Sequence, residues 1–349
     1  MVRETLTKPV GVALIGAGVI GRRHVEALSD MGDQVALRAI VSRCSEKSEH
    51  LAGMYDGAFP IVTSDIEKVC DDPDIQMAII ATPPSVRRQV IAPLAAAGLH
   101  ILLEKPIART FQEAEEIVDL CDAANVTLGI VFQHRFRASA IEAARVVATG
   151  DLGRLGVVEI SVPLWRDQAY YDELGRGTYA RDGGGVMLTN AIHSLDLALS
   201  LTGPVTRVQA MTATSLLHDM EAEDLAVAGL EFASGAKGAF VAGTAMFPHR
   251  TEVMRLHFEN GSLRIDKSDV EISWRDGRKQ TLPAINATQT KLSTQENHVL
   301  WHRLVIEDFV TAIKTGGTPK ATGQQGLDAQ SLISAIEQSA RTGASVDMA

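Results

Sequence analysis

A chain of 349 residues with 46% hydrophobic and 22% charged residues holds enough apolar material for two cores, and fits a globular class rather than a disordered or membrane one. Its formal net charge of −10 makes the overall field repel nucleic acid and anionic membranes, while a small anionic substrate responds only to local charge. Cys44, Cys70 and Cys121 lie far apart, lack metal-ligand spacing and cannot all pair, so reduced thiols and a cytoplasmic setting are expected.

In chain order, the first nine residues carry no apolar run of the signal-peptide kind. Short apolar runs follow at residues 10–15, 35–41, 77–81, 100–103 and 127–131. Amphipathic helical patterns separate them at 19–31, 45–55, 85–97 and 110–124. Apolar strands alternating with helices predict an α/β, doubly wound parallel sheet covered on both faces, a first domain spanning residues 1–130. A helix at 138–149 opens the second domain, residues 131–349. There the period changes to strands at 157–165, 205–215, 225–232, 236–245, 254–259, 262–266 and 270–274, several joined by hairpin signals such as Asn260-Gly261. One long helix at 184–201 interrupts them, and helices at 300–315 and 323–341 close the chain. Runs of strands with segregated helices predict an α+β domain on a large, mostly antiparallel open sheet. Residues 283–296 are polar and patternless and read as a long surface loop.

Gly16-Ala17-Gly18-Val19-Ile20-Gly21 leaves the first strand and opens a helix. Gly16 allows a tight turn, Gly18 lets backbone approach a pyrophosphate, Gly21 allows close helix–strand packing, and the amides of Val19 and Ile20 face the phosphate charge. The second strand ends in Ser42-Arg43, with Lys47 in the next turn. An acidic residue there would grip a ribose 2′-hydroxyl; a hydroxyl and a guanidinium suit a 2′-phosphate, which favours NADP with NAD as the alternative. Ala81-Thr82-Pro83-Pro84 ends a further strand at the edge where the ligand belongs, although Pro near a helix start explains the same residues. Glu104-Lys105-Pro106 ends the next one. It places an amine at a strand carboxyl end, and the X-Pro bond there is open to the cis form. Gln133-His134-Arg135-Phe136 follows the last strand on the same edge.

Asp182-Gly183-Gly184-Gly185 precedes a helix on which Thr189 and His193 stand four apart and share a face, with Asn190 beside them. Asp196, three residues past His193, is placed to orient the imidazole, which fits a catalytic or a structural histidine. Between the second domain's first strand and the glycines, Trp165-Arg166, Tyr170-Tyr171, Arg176 and Arg181 combine aromatic and cationic side chains, as a substrate wall, interface or lid would. No HExxH, CxxC or paired-carboxylate pattern points to a metal, and the histidines are scattered.

The GAGVIG loop, ATPP turn, EKP strand end, QHRF segment and glycine-led helix with its histidine together resemble the Gfo/Idh/MocA family of glucose-fructose oxidoreductases and inositol dehydrogenases. The resemblance implies a Rossmann domain, a C-terminal substrate-binding domain whose open sheet makes homodimers or homotetramers, and closing helices that pack back on the first domain. It also implies NAD(P)-linked hydride transfer at a secondary alcohol or ketone of a sugar, cyclitol or related cyclic diol. By the same carry-over Lys105 works on the substrate hydroxyl and His193 assists. Thr189 stands where many relatives carry an acid. Residues 165–196 look like dehydrogenases of a carboxylated cyclohexadiene cis-diol, for which Arg135, Arg166, Arg176 and Arg181 would hold the carboxylate. A cofactor-sensing regulator and an NAD-using glycosidase are alternatives on the same fold.

Expected cofactor contacts are therefore Gly16, Gly18, Val19, Ile20, Gly21, Ser42, Arg43, Lys47, Ala81, Thr82, Pro83, Pro84, Glu104, Lys105 and Gln133. Expected substrate contacts are Lys105, Arg135, Trp165, Arg166, Tyr170, Arg176, Thr189, Asn190 and His193, with no metal, no nucleic acid and no membrane among the partners.

Overall fold

Every residue of the run Val10–Ile15 is apolar or glycine, so a strand there must be buried on both faces, and the structure buries all six. A computed structural model describes residues 8–266, 269–282 and 294–348. Strand β1 (Val10–Ile15) passes through the glycine loop into α1 (Val19–Ser29). Then come β2 (Val35–Val41), α2 (Ser45–Ala52), β3 (Ile61–Thr63), α3 (Glu67–Cys70), β4 (Met77–Ile80), α4 (Arg87–Ala96), β5 (His100–Glu104), α5 (Phe111–Ala123) and β6 (Leu128–Val131). The six strands pair in parallel in the order β3-β2-β1-β4-β5-β6. Successive strands run outward in both directions from β1 and β4, so the crevice at their carboxyl ends is the switch point where a ligand binds in such sheets. Elements β3 and α3 went unpredicted because three or four residues are too few to show a period.

After α6 (Ala138–Thr149) the chain lays down β7 (Leu155–Pro163) and a single helical turn, α7 (Gln168–Tyr171). It continues with α8 (Ile192–Thr202), β8 (Val205–Ala213), β9 (Leu225–Phe232), β10 (Lys237–Gly243), β11 (Val253–Phe258), β12 (Gly261–Ile265), β13 (Val270–Trp274) and β14 (Lys279–Leu282). Helices α9 (Thr294–Thr315) and α10 (Gly323–Thr342) and the short β15 (Val346–Asp347) complete it. The nine strands form one sheet, β14-β13-β12-β11-β7-β10-β9-β8-β15, antiparallel except for the β7–β10 pair. Alternate residues such as Ala226, Ala228, Leu230 and Phe232 of β9 are buried, so one face builds a core, with α6 against β12 and α8 against β7.

Two expectations are corrected. The stretch 184–201 is not a uniform helix: a widened π turn, Met187–Ala191, precedes α8. Of the expected loop at 283–296, residues 283–293 lie outside the described residues, while Thr294 already begins α9. By contact the chain groups into two compact units. One comprises Met1–Ala108, Gln112–Gln133 and Ser293–Leu327; the other comprises Arg109–Phe111, His134–Leu292 and Asp328–Ala349.

Candidate active site

In the first unit the parallel sheet sends its strand carboxyl ends to one edge, and the loop residues there come from β1, β2, β4, β5 and β6. Gly16 adopts φ +111°, and a Cβ on it would lie 2.8 Å from the Ala81 carbonyl, so only glycine permits the loop to pass the end of β4. A Cβ on Gly21 would meet the Gly16 carbonyl at 2.8 Å, whereas one on Gly18 would point into open space. Val19, the first residue of α1, is 90% exposed, leaving the positive end of the helix open to an anion. At the end of β2 the Ser42 hydroxyl accepts the Cys44 amide at 3.1 Å and its own amide donates to the Thr63 carbonyl at 3.0 Å. Arg43 and Lys47 are exposed, and Arg43 has no acidic partner among the described residues.

Thr82 and Gln133 supply a test of fit for a dinucleotide. The Thr82 hydroxyl and the Gln133 side-chain carbonyl are buried without a hydrogen-bond partner. Buried polar atoms are rarely left so, and a ligand bearing amide and hydroxyl groups would satisfy both. Together with the open helix end, these residues fit an NAD(P) cofactor. Pro83 is exposed and Pro84 opens a short helical turn that leads into α4.

Lys105 follows β5 directly, is half-buried, and the Lys105–Pro106 peptide is cis. Its neighbour Glu104 is not a surface partner but a buried one. Burial pushes this carboxyl up, yet the hydrogen bond from His24 and the nearby imidazoles of His24 and His302 outweigh that and hold it well below the usual range. His24 itself is lowered by burial, against the pull of Glu104. Sequence reading missed both histidines and Arg87, a buried guanidinium whose pKa burial lowers to about 10. The available signal for His24 was its place on the buried stripe of α1, among Gly21, Val25 and Leu28.

In the second unit the glycine triplet meets its reason. A Cβ on Gly185 would stand 1.8 Å from the Glu223 carbonyl, because the segment before β9 crosses the helix start there. The Glu223 carboxylate accepts the amides of Gly185 at 2.9 Å and Met187 at 3.0 Å, and its carbonyl accepts that of Val186 at 2.9 Å. This capping residue also escaped the sequence analysis. The Thr189 hydroxyl donates back to the Gly185 carbonyl at 2.6 Å and lies 3.0 Å from the Asn190 side-chain oxygen, in the π turn. Such turns recur at functional sites. His193, 6% exposed, stacks on His134 with ring centroids 4.4 Å apart.

Asp196 is held by an arginine. Both of its oxygens are taken by Arg135, at 2.8 and 2.7 Å, in a bidentate ion pair with Asp196 fully buried. Arg176 and Arg181 are likewise engaged, both on Glu173, whose pKa their hydrogen bonds lower to about 2. Of the four arginines offered to a substrate carboxylate, Arg166 alone lacks an acidic partner among the described residues. It lies over the Tyr170 ring, as Arg176 does, at 5.4 and 4.7 Å. The Trp165 indole donates to Asp167 at 3.0 Å and meets Phe247 edge to face, with Phe247 itself 76% exposed. Trp165 thus packs with Phe247, and Tyr170 with Arg166 and Arg176.

A switch-point crevice with an open helix end, orphaned hydroxyl and amide oxygens and a strand-end lysine defines a dinucleotide-binding oxidoreductase. Residues 10–132 match the family model described as oxidoreductase family, NAD-binding Rossmann fold, and residues 141–264 match the GFO/IDH/MocA C-terminal domain. The chain belongs to the Gfo/Idh/MocA family. It is 28% identical to the uncharacterized oxidoreductase YrbE of Bacillus subtilis, with 98% of each chain covered. It is 26% identical to the D-apiose dehydrogenase of Paraburkholderia graminis, over 99% of this chain and 91% of the other. Among solved structures, the WlbA dehydrogenase from Bordetella pertussis in complex with NADH and UDP-GlcNAcA superposes with a TM-score of 0.85, at 26% identity and 98% coverage of each chain. The protein is an oxidoreductase with an NAD-binding Rossmann fold.

Proposed function

We propose that this enzyme oxidises a secondary alcohol of a sugar, cyclitol or related cyclic polyol, or reduces the matching ketone, with Lys105 as the proton-transfer residue and His193 assisting. The observation that carries the reading is Lys105 standing at the carboxyl end of β5, one strand from the β1/β4 switch point. A bound nicotinamide would supply the hydride acceptor or donor. The Lys105 amine takes the hydroxyl proton as the carbinol carbon loses its hydride, and returns it in the reverse direction. Gly16, Gly18 and the first amides of α1 hold the pyrophosphate, and Thr82 and Gln133 offer their unsatisfied oxygens to the cofactor. The D-apiose dehydrogenase relative supports a sugar as the substrate class.

Arg43, exposed at the end of β2 with no acid beside it, supports NADP as the preferred cofactor. The three cysteines are free thiols, which suits a reducing, cytoplasmic setting. The carboxylated-diol alternative loses most of its anion grip, since Arg135, Arg176 and Arg181 are bound to acids of the chain itself.

The test is a panel of aldoses, inositols and cyclic diols scored by reduced-nicotinamide absorbance with NADP+ and NAD+ in parallel. A sugar or cyclitol is expected to react. Lys105→Ala should cut its turnover by about 10²–10⁴-fold while leaving cofactor affinity nearly intact. Full activity in that variant removes the lysine from the mechanism.

A further inference from the structure

Three elements far apart in the sequence converge on one carboxylate. Glu104, the last residue of β5, has a side chain only 8% exposed, and His24 of α1 donates from Nε2 to its Oε1 at 2.9 Å. His302 of α9 brings its Nε2 to 3.6 Å from the same oxygen, too long for a full hydrogen bond but close enough to act through charge. The other nitrogen of that ring, Nδ1, lies 2.7 Å from the His298 carbonyl. A carbonyl only accepts, so Nδ1 carries the hydrogen, and Nε2 faces Glu104 as a donor in the imidazolium form of the ring. The two imidazoles meet edge to face with centroids 5.1 Å apart.

A second anchor lies beyond the lysine. Arg87 of α4, 3% exposed, donates from Nε and Nη2 to the Thr82 carbonyl at 3.1 Å and from Nη1 to the Ile107 carbonyl at 3.4 Å. Lys105 and Pro106 are the two residues between these anchors. A strand end that reaches solvent does not need a buried carboxylate, which is costly out of water unless paired and hydrogen-bonded. Such a cluster over-determines the backbone beside it.

We infer that His24 and His302 are positioning residues for Lys105: they clamp Glu104 on one side of the lysine as Arg87 clamps Ile107 on the other, and so fix where the amine is presented. The inference rests on the proton-transfer reading of Lys105 given above. It also ties the lysine to the cofactor loop, since His24 stands on the second turn of the helix that the loop opens. The charged and titratable groups that act on the clamp are His24 from α1, His302 from α9, Arg87 from α4 and, through His24, Arg23.

The test reads the lysine itself in the purified full-length protein. Trace acetylation with acetic anhydride across a pH series, quantified by peptide mass spectrometry, gives the reactivity profile of Lys105 against Lys237 and Lys314 as references. His24→Leu, His302→Leu and Glu104→Gln are each expected to change the Lys105 profile by about threefold or more, with both references unmoved. The two histidine variants should keep NAD+ affinity within about twofold, as positioning residues remote from the cofactor would. His302→Gln offers the carboxylate an amide donor that needs no protonation and should restore most of the native profile. Glu104→Gln is nearly isosteric and decides the matter even where the leucine variants fail to fold. An unchanged Lys105 profile in folded Glu104→Gln overturns the inference. So does stoichiometric metal in the purified protein that His302→Leu abolishes, because the cluster would then be a metal site. Turnover of Lys105→Ala is read separately, so a failure of the lysine's catalytic role is distinguishable from a failure of its positioning.

Discussion

The proposed preference for NADP turns on Arg43. The end of β2 is where a dinucleotide fold reads the ribose, and an acid there repels a 2′-phosphate. Arg43 is exposed and has no carboxylate partner among the described residues, which supports the proposal that its fork of donors meets a phosphate. Arg43→Asp should weaken NADP+ binding by about tenfold or more, roughly the strength of one lost charge-assisted contact plus a new repulsion. NAD+ binding should change little. Fluorescence titration of both cofactors on both proteins checks this, and tighter NAD+ than NADP+ binding by the native enzyme would refute the assignment. Gly16 is the opposite kind of residue, fixed by geometry rather than by ligand chemistry. Its positive φ and the Ala81 carbonyl facing it leave no room for a side chain.

Among elements, the π turn and α8 depend on a residue far away in sequence. The helix start presents unsatisfied amides that no side chain of its own cap position accepts, and Glu223 takes two of them with its carboxylate and a third with its carbonyl. Glu223→Ala should lower stability by roughly 2–4 kcal/mol, combining a lost cap with buried amides left unpaired. A depressed thermal midpoint would show it. Glu337 of α10 lies against the same turn. Burial first, and then the charge of Glu223, raise its pKa to about 7. A carboxyl with a folded pKa above its unfolded value stabilises the fold fully below about pH 4.5, and that contribution declines as pH rises toward 7 and is gone above it. Glu337→Gln should therefore flatten this part of the stability profile, gaining up to about 3 kcal/mol on the native protein at pH 8 relative to pH 4. Thermal melts of the two proteins at both pH values test the sign.

For the molecule as a whole, the outer face of the nine-stranded sheet is the feature that asks for a partner. Register aligns Met211 with Val227, Val227 with Val241, Val241 with Ser161 and Ser161 with Val253, a row across five strands that is apolar except at Ser161. Met211 is 56% exposed and Val157, on the same face, 46%. Exposed apolar side chains on an open sheet face suit an interface between copies of the chain. Light scattering is expected to give a multiple of the 37.4 kDa chain mass, and a Met211→Lys, Val241→Glu pair should reduce it toward one copy. A native protein that runs as a single chain would end this expectation.

The sequence by itself determined whatever a short stretch of chain encodes. Apolar runs alternating with amphipathic helices specified the parallel sheet. Gly16, Gly18 and Gly21 marked the phosphate loop, and Lys105 was legible because a strand period stops just before it. Elements too short to show a period, such as β3, β14 and β15, were not legible, and neither was the π turn inside a stretch with ordinary helical spacing. Only the tertiary structure decided which polar groups meet. It gave Asp196 to Arg135, gave Glu173 to Arg176 and Arg181, and gathered His24 and His302 on Glu104. The physical reason is that periodicity is a local property read within a few turns. A buried charge finds its partner across the whole packed core, where desolvation, not spacing, sets the choice.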